Sequence, residues 1–313
     1  MTAPPLSAPS TTAPAASTGA VWLPRILLLN LVVEVLIVVT GGLVRLTGSG
    51  LGCPTWPQCV PGSYTPVPHQ EEGFHRYIEF GNRTLTSVVG IAALLAIVAV
   101  WRWADRRRDL LVPGFVVLGG VAFQAVLGGI TVLTGLSPVT VAAHFLVSMV
   151  LVTAAALLFF RAQEPAGPRA LTVHPLVERL GWVTCGVAAV VLALGTVVTG
   201  SGPHSGDADE PARLGFDPRT VSWLHADAVM LFVGLLVATW VAARLTGTSS
   251  RPGRAWAGVF AVTVVQGLVG YTQYFTGLPW AVVVVHMLLA TLLVVALTRA
   301  VHSQRSTLLQ HAA

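Results

Sequence analysis

Three histidines, His144, His225 and His286, lie deep inside long apolar stretches of a 313-residue chain. Imidazole is the side chain best suited to holding a transition metal in such a place. His144 follows Pro138 by six residues and His286 follows Pro279 by seven. At the rise of a helix, both would sit roughly 9–11 Å below the loops that precede them. His225 lies a similar distance beyond the loop that ends near Thr220. Ionisable groups inside a membrane are rare and usually face a bundle interior. Histidines on two facing helices of a four-helix bundle can clamp a haem through both axial positions. A hydrogen-bonded core histidine is the bland alternative, and it weakens when three share one depth. The second half of the chain offers His225 with His286, and the first half offers His144 opposite helix 2.

Helix 2 breaks the pattern. Its segment IEFGNRT aligns with WLHADA at an offset of about 143, so Asn82 stands where His225 would be matched. Asparagine is a poor haem ligand, and His75, seven residues earlier, is ~10 Å away along a helix. Glu79, Asn82 and Arg83 fall on one helix face. A carboxylate beside an apolar cavity could act in proton transfer, and an i,i+4 ion pair with Arg83 is as good a reading of the spacing. The matching position in helix 6 is Ser222. Just upstream, GLVRLTGSGLGCPTWPQCVPG carries Cys53 and Cys59 in a loop on the oxidising side, read as a disulfide that stiffens the loop or exchanges with thiols. Cys185, within helix 5, reads as an inert buried thiol. The first half thus has the residues of a reactive site, and the other half those of a cofactor holder.

The elements that position these groups must cross a membrane. Hydrophobic residues make up 54% of the chain and charged ones 10%, with a mean hydropathy of +0.75. Soluble domains carry about 25% charge, so a soluble enzyme is excluded. Eight apolar stretches, at roughly 23–47, 79–101, 112–134, 139–160, 180–200, 220–243, 255–276 and 280–299, each reach the ~20 residues that a spanning helix needs. The fold class is therefore all-α and polytopic. All 18 basic residues are arginine, scattered at helix ends rather than gathered into a nucleic-acid patch. Thirteen of them (Arg25, Arg102, Arg106–Arg108, Arg161, Arg169, Arg179, Arg244, Arg251, Arg254, Arg299, Arg305) mark one side, and the run Asp207, Asp209, Glu210 marks the other. By the positive-inside rule both termini are cytoplasmic. Residues 1–20, rich in Pro, Ala, Ser and Thr, read as a disordered tail.

The chain also repeats itself. Helices 3–4 (from Gln124) and helices 7–8 (from Gln266) align at an offset of 142 without a gap, pairing Gly128 with Gly270, Thr134-Gly135-Leu136 with Thr276-Gly277-Leu278 and His144 with His286. Helices 1 and 5 share a TGSG exit. The architecture expected is two tandem four-helix bundles related by a pseudo-two-fold axis along the membrane normal. The halves are placed at 21–162 (the reactive half) and 163–301 (the cofactor half), followed by a cytoplasmic tail at 302–313. His69, His174, His204, His302 and His311 fall in loops or tails, where a solvated role is the default. Glu34, one turn after Asn30, and Asp227 are further polar residues within spans, the first a functional or pairing candidate and the second structural. Arg45, Arg76 and Arg83 lie near outer helix ends, where snorkelling competes with binding of propionates.

The run GGLVRLTGSGLGCPTWPQC, the segment IEFGNR and the three histidines in helices 4, 6 and 8 resemble the haem A synthase family, in its actinobacterial style, over about residues 22–300. That family oxidises the C8 methyl of haem O to the formyl of haem A, for cytochrome oxidase. The resemblance implies a haem b held by His225 and His286, substrate haem ligated by His144, Glu79 as the essential glutamate of an E-x-x-H-R motif, and Cys53 with Cys59 as the loop pair. It also implies a plasma-membrane location, with haem O synthase and oxidase assembly factors as partners and a homo-oligomer as a possible state. Two departures stand out. Asn82 replaces the motif histidine, which suggests a five-coordinate substrate haem, and the second outer loop lacks the cysteine pair that some members carry. The other readings of the same residues are a bis-histidine cytochrome b and a non-catalytic haem carrier.

Overall fold

The computed structural model describes residues 18–204, 206–207 and 212–308. Eight helices carry the fold: α1 (Thr18–Leu46), α2 (His75–Trp103), α3 (Arg108–Leu133), α4 (Pro138–Ala162), α5 (Pro175–Ser201), α6 (Pro218–Thr246), α7 (Ser250–Phe275) and α8 (Trp280–Ser303). All eight are long and apolar enough to cross a membrane, and the protein is a multi-pass membrane protein. The sequence places every span correctly, though the helices run beyond the apolar stretches at most ends. Most of the expected N-terminal tail lies outside the described residues, as do Asp209, Glu210 and His311; residues 18–20 already belong to α1.

Helix ends follow from local chemistry. Pro138, Pro175 and Pro218 open α4, α5 and α6, where a missing N–H costs nothing. Asp217 caps α6 by accepting the amide and hydroxyl of Thr220 at 2.8 and 2.7 Å, and these donors hold its carboxyl below the usual carboxylate range. The repeated Thr-Gly-Leu triplets end α3 and α7. Gly135 and Leu136 have φ of 59° and 56°, and Gly277 and Leu278 have 77° and 60°. The left-handed turn lets Leu136 N–H reach the Thr131 carbonyl at 2.9 Å and Leu278 N–H the Gln273 carbonyl at 2.8 Å. These bonds close carbonyls that a helix end leaves open. Leu136 is buried despite this costly backbone.

Packing follows the logic of lipid rather than water. In α2 the buried stripe is Val89, Ala92, Ala93, Ala96 and Ala99, while Ile91, Leu94, Leu95 and Val98 point outward. Lipid tails are as apolar as leucine, so helices associate through close approach of small residues instead of hydrophobic sequestration. One core cluster draws on α1–α4 with Val294 of α8, and another on α5–α8. Helices α1 and α4 pack on α8, and α4 also meets α5.

The arginine-rich side is tied together by a small assembly that the sequence does not announce. Two short strands, β1 (Arg169–Leu171) and β2 (Arg305–Thr307), pair antiparallel, so the segment expected as a tail from 302 is folded as far as residue 308. Glu164, 3% exposed, meets Arg169 at 3.1 Å, Arg251 at 2.8 Å and His302 at 3.7 Å. Burial lowers the Arg169 guanidinium, opposed by the Glu164 carboxylate. His302 is accordingly not solvated. The strand pairing draws the end of α8 down onto the α4–α5 connection, which removes its ring from water. His174 instead caps α5, accepting Leu176 N–H at 3.3 Å.

Candidate functional site

On the opposite side, the loop from Thr47 to Phe74 folds against the start of α2. Cys53 and Cys59 form a disulfide, with Cα atoms 4.4 Å apart, and both are fully buried. Glu79 is 5% exposed. Its Oε2 accepts the Cys53 N–H at 2.6 Å, and its Oε1 accepts the Nε and Nη2 of Arg83 at 3.0 and 2.5 Å. Arg83 also donates to the carbonyls of Cys53 at 2.6 Å and Thr55 at 3.0 Å. The i,i+4 ion pair expected from spacing is thus real, and it is also what fastens the disulfide loop to α2. Gly52 lies against the His75 carbonyl so closely that no Cβ would fit. The ring of His75 bonds Ser49 Oγ at 2.8 Å.

Beneath this loop lies a cavity of about 320 Å³ whose wall includes Glu79, Asn82, Arg83, Trp56, Gln124 and His144. Trp56 covers Gly129 of α3 in a contact that leaves no room for a side chain. The cavity also receives a residue from the second half: Gly206 lines it, and its carbonyl accepts Gly50 N–H at 2.9 Å. Arg45 fastens this crossing, donating to the carbonyls of His204 at 2.6 Å and Thr199 at 3.0 Å. Arg45 and Arg83 therefore turn inward onto backbone carbonyls rather than snorkelling outward. Arg76 lies over the Tyr77 ring at 4.8 Å and donates to the Gln70 carbonyl at 3.2 Å.

Each of the three deep histidines packs against a glycine on the neighbouring helix. An added Cβ would stand 3.2 Å from His144 Cε1 at Gly128, 3.4 Å from His225 Cε1 at Gly195 and 3.3 Å from His286 Cε1 at Gly270. The rings are thereby seated edge-on to a helix backbone with no side chain between. Among the described residues, Nδ1 of His144 and Nδ1 of His286 are buried without a partner. Nδ1 of His225 bonds the Val191 carbonyl at 3.1 Å. As the N–H donor there, it leaves Nε2 with its lone pair, the tautomer that a metal requires. Gln124 and Gln266, which the repeat marks without giving them a role, bond the backbone carbonyls of two of these histidines, and Gln266 also reaches a ring. Gln124 Nε2 donates to His144 O at 2.8 Å and Ser148 Oγ at 2.6 Å, and Gln266 Nε2 lies 3.1 Å from His286 O and 3.2 Å from His286 Nε2.

Other polar residues within the spans stand apart. Asn30 and Glu34 are buried in α1, and neither the Asn30 amide nor Glu34 Oε1 has a hydrogen-bond partner among the described residues. They do not line the cavity. Asp227 is exposed on α6, and Cys185 is half-buried in α5.

The chain matches the COX15-CtaA family model, described as a cytochrome oxidase assembly protein, over residues 24–204. A protein of Lysinibacillus sphaericus named heme A synthase is 29% identical over 273 residues, covering 82% of this chain and 87% of its own. One of Methylobacterium radiotolerans with the same name is 28% identical over 317 residues, covering 82% and 83%. Another of Alkalihalophilus pseudofirmus is 33% identical over 147 residues, covering 46% and 47%. The family match spans the disulfide loop, Glu79, Asn82 and His144. This chain belongs to the COX15-CtaA family of cytochrome oxidase assembly proteins.

Proposed function

We propose that the protein is a haem A synthase, oxidising the C8 methyl of haem O through a hydroxymethyl stage to the formyl of haem A. The observation that carries this reading is one wall: His144, with a buried unpartnered ring nitrogen, and Glu79, fixed by two donors, line the same cavity. The relatives' names supply the reaction. His144 ligates the substrate macrocycle in the first half (21–162), and Glu79 is the catalytic carboxylate.

His225 and His286 hold a haem b in the second half (163–301). Their chemistry fits once the Gln266 contact to His286 Nε2 gives way to iron: Nε2 of His225 carries its lone pair, Nδ1 of His286 has no partner, and each ring lies against a glycine of the neighbouring helix. Once bound, a haem b supplies a one-electron carrier inside the membrane. What the chain itself contributes is placement. Gln266 braces His286, and Val191 O sets the tautomer of His225. Arg83 and the Cys53 N–H keep the Glu79 carboxylate at the cavity wall, where Oε2 can exchange its Cys53 contact for a proton. The halves follow a pseudo-two-fold axis along the membrane normal, both termini are cytoplasmic, and the plasma membrane is the site of action. Haem O synthase and oxidase assembly factors are the natural neighbours.

The test is haem extraction from cells that express the protein and make haem O. Appearance of haem A supports the reading. Bound haem b without conversion would instead identify a cytochrome or a carrier.

A further inference from the structure

The face of α2 that borders the cavity holds four polar side chains, Glu79, Asn82, Arg83 and Thr86; the Thr86 hydroxyl turns back to the Asn82 carbonyl at 3.5 Å, and two of the others are committed. Glu79 and Arg83 are bound to each other and to the disulfide loop. Asn82 differs. Its Oδ1 lies 2.8 Å from the hydroxyl of Thr40 on α1, so the acceptor end of the amide faces α1. Its Nδ2 lies beside Gly41, 4.0 Å from where a Cβ would stand, and Gly41 and Asn82 both line the cavity with His144. Helix neighbours in this half run α1–α2, α2–α3, α3–α4 and α4–α1, which makes α2 and α4 diagonal. Asn82 and His144 therefore approach the cavity from opposite corners.

The position has the form of the histidine seats without a ligand in it. A glycine of the preceding helix lies beside the side chain, as Gly195 does beside His225 and Gly270 beside His286. An amide nitrogen has no available lone pair, because it is delocalised into the carbonyl, and the amide oxygen is taken by Thr40. Asn82 can offer the cavity only N–H donors.

We propose that Asn82 Nδ2 is a hydrogen-bond donor to a small ligand, such as water, fluoride or a diatomic molecule, on the axial face opposite His144. Thr40 is the positioning residue that keeps the donor rather than the acceptor turned inward. The inference rests on the reading of His144 as the ligand of the substrate haem, and it adds what occupies the other side. A neutral donor there stabilises a ligand carrying negative charge on its outer atom, by the same preorganised geometry that serves any developing anion.

The test uses the full-length protein purified with haem, and reads fluoride affinity in the ferric state and the C–O stretch of the ferrous carbonyl. Asn82→Leu and Thr40→Val are each expected to weaken fluoride binding about tenfold, the loss of one hydrogen bond to a charged acceptor, and to raise the C–O stretching frequency. Thr40→Ser, which keeps the hydroxyl, is expected to restore both values. Asn82→His is expected to close the face, giving a low-spin spectrum without carbon monoxide binding. Retained haem b absorption verifies folding in each variant. If the carbonyl forms but Asn82→Leu and Thr40→Val leave both readouts unchanged, the donor assignment is wrong while the ligand reading stands. If His144→Ala keeps the carbon monoxide-binding haem, the ligand reading itself fails and the donor assignment falls with it.

Discussion

Glu79 Oε2 accepts the backbone N–H of Cys53 at 2.6 Å, so the cavity carboxylate and the disulfide loop share one hydrogen bond across 26 residues of sequence. Together with Arg83, which grips Glu79 and the Cys53 carbonyl, this makes the loop and the first turns of α2 one mechanical unit. A change to any of the three should be felt by the other two.

Replacing Glu79 by Gln is the sharpest cut at that unit. Glu79→Gln keeps the shape but removes the charge, and conversion of haem O should fall at least ~100-fold, the usual scale for loss of a proton-transfer group. Haem b should remain, because His225 and His286 lie in other helices. Extracted haem composition and the visible spectrum read the two effects separately, and full conversion by the variant would remove Glu79 from catalysis.

Opening the disulfide should act on the same carboxylate from the other side. A loop this short contributes about 2 kcal/mol of stability by chain entropy. Cys53→Ser with Cys59→Ser should lower the unfolding temperature modestly and reduce conversion, by releasing the Cys53 amide from Glu79. Dithiothreitol treatment of the wild type should give the same reduction, and reoxidation should reverse it. Unchanged activity in the reduced protein would mean that the loop holds its shape without the bond.

Glycine at the histidine seats makes a prediction with its own control. Gly270→Val places methyl groups against the His286 ring, since even a bare Cβ would stand at 3.3 Å. Haem b should be lost or converted to a high-spin form, visible by electron paramagnetic resonance. Gly267→Val, on the same helix with open space around it, should leave the spectrum as it is.

At the far side of the protein, Glu164→Ala would leave Arg169 and part of the Arg251 charge without their buried carboxylate. Breaking one partner of a buried charge cluster typically costs about 3–5 kcal/mol. The expected result is a clear drop in thermal stability with the haem spectra unaltered at low temperature, and a stability equal to wild type would show that water replaces Glu164 fully.

Much of this molecule is legible in the sequence because lipid simplifies the problem. Eight spans follow from apolar length, and His144, His225 and His286 stand out because imidazole is rare in such surroundings. The Glu79–Arg83 pair follows from helical spacing. Contacts that depend on chain paths do not. Nothing in the sequence says that Arg45 reaches His204 and Thr199, because outer-end arginines ordinarily snorkel. Nothing marks Thr40, whose hydroxyl resembles that of any threonine satisfying its own helix until Asn82 is beside it. His302 defeats a sequence reading for a related reason: a polar residue after the last apolar stretch reads as solvated, and only the β1–β2 pairing buries it beside Glu164.

The loop after α5 has a consequence for the independence of the two repeats. Gly206 belongs to the second repeat by sequence, yet it roofs the cavity of the first, where the disulfide loop already stands. The crossings after α1 and α5 thus meet over one cavity. The two halves of the chain are therefore not independent at this face, because one lends the other part of its ceiling. A chain cut between α4 and α5 would yield a first fragment that lacks Gly206 over its cavity.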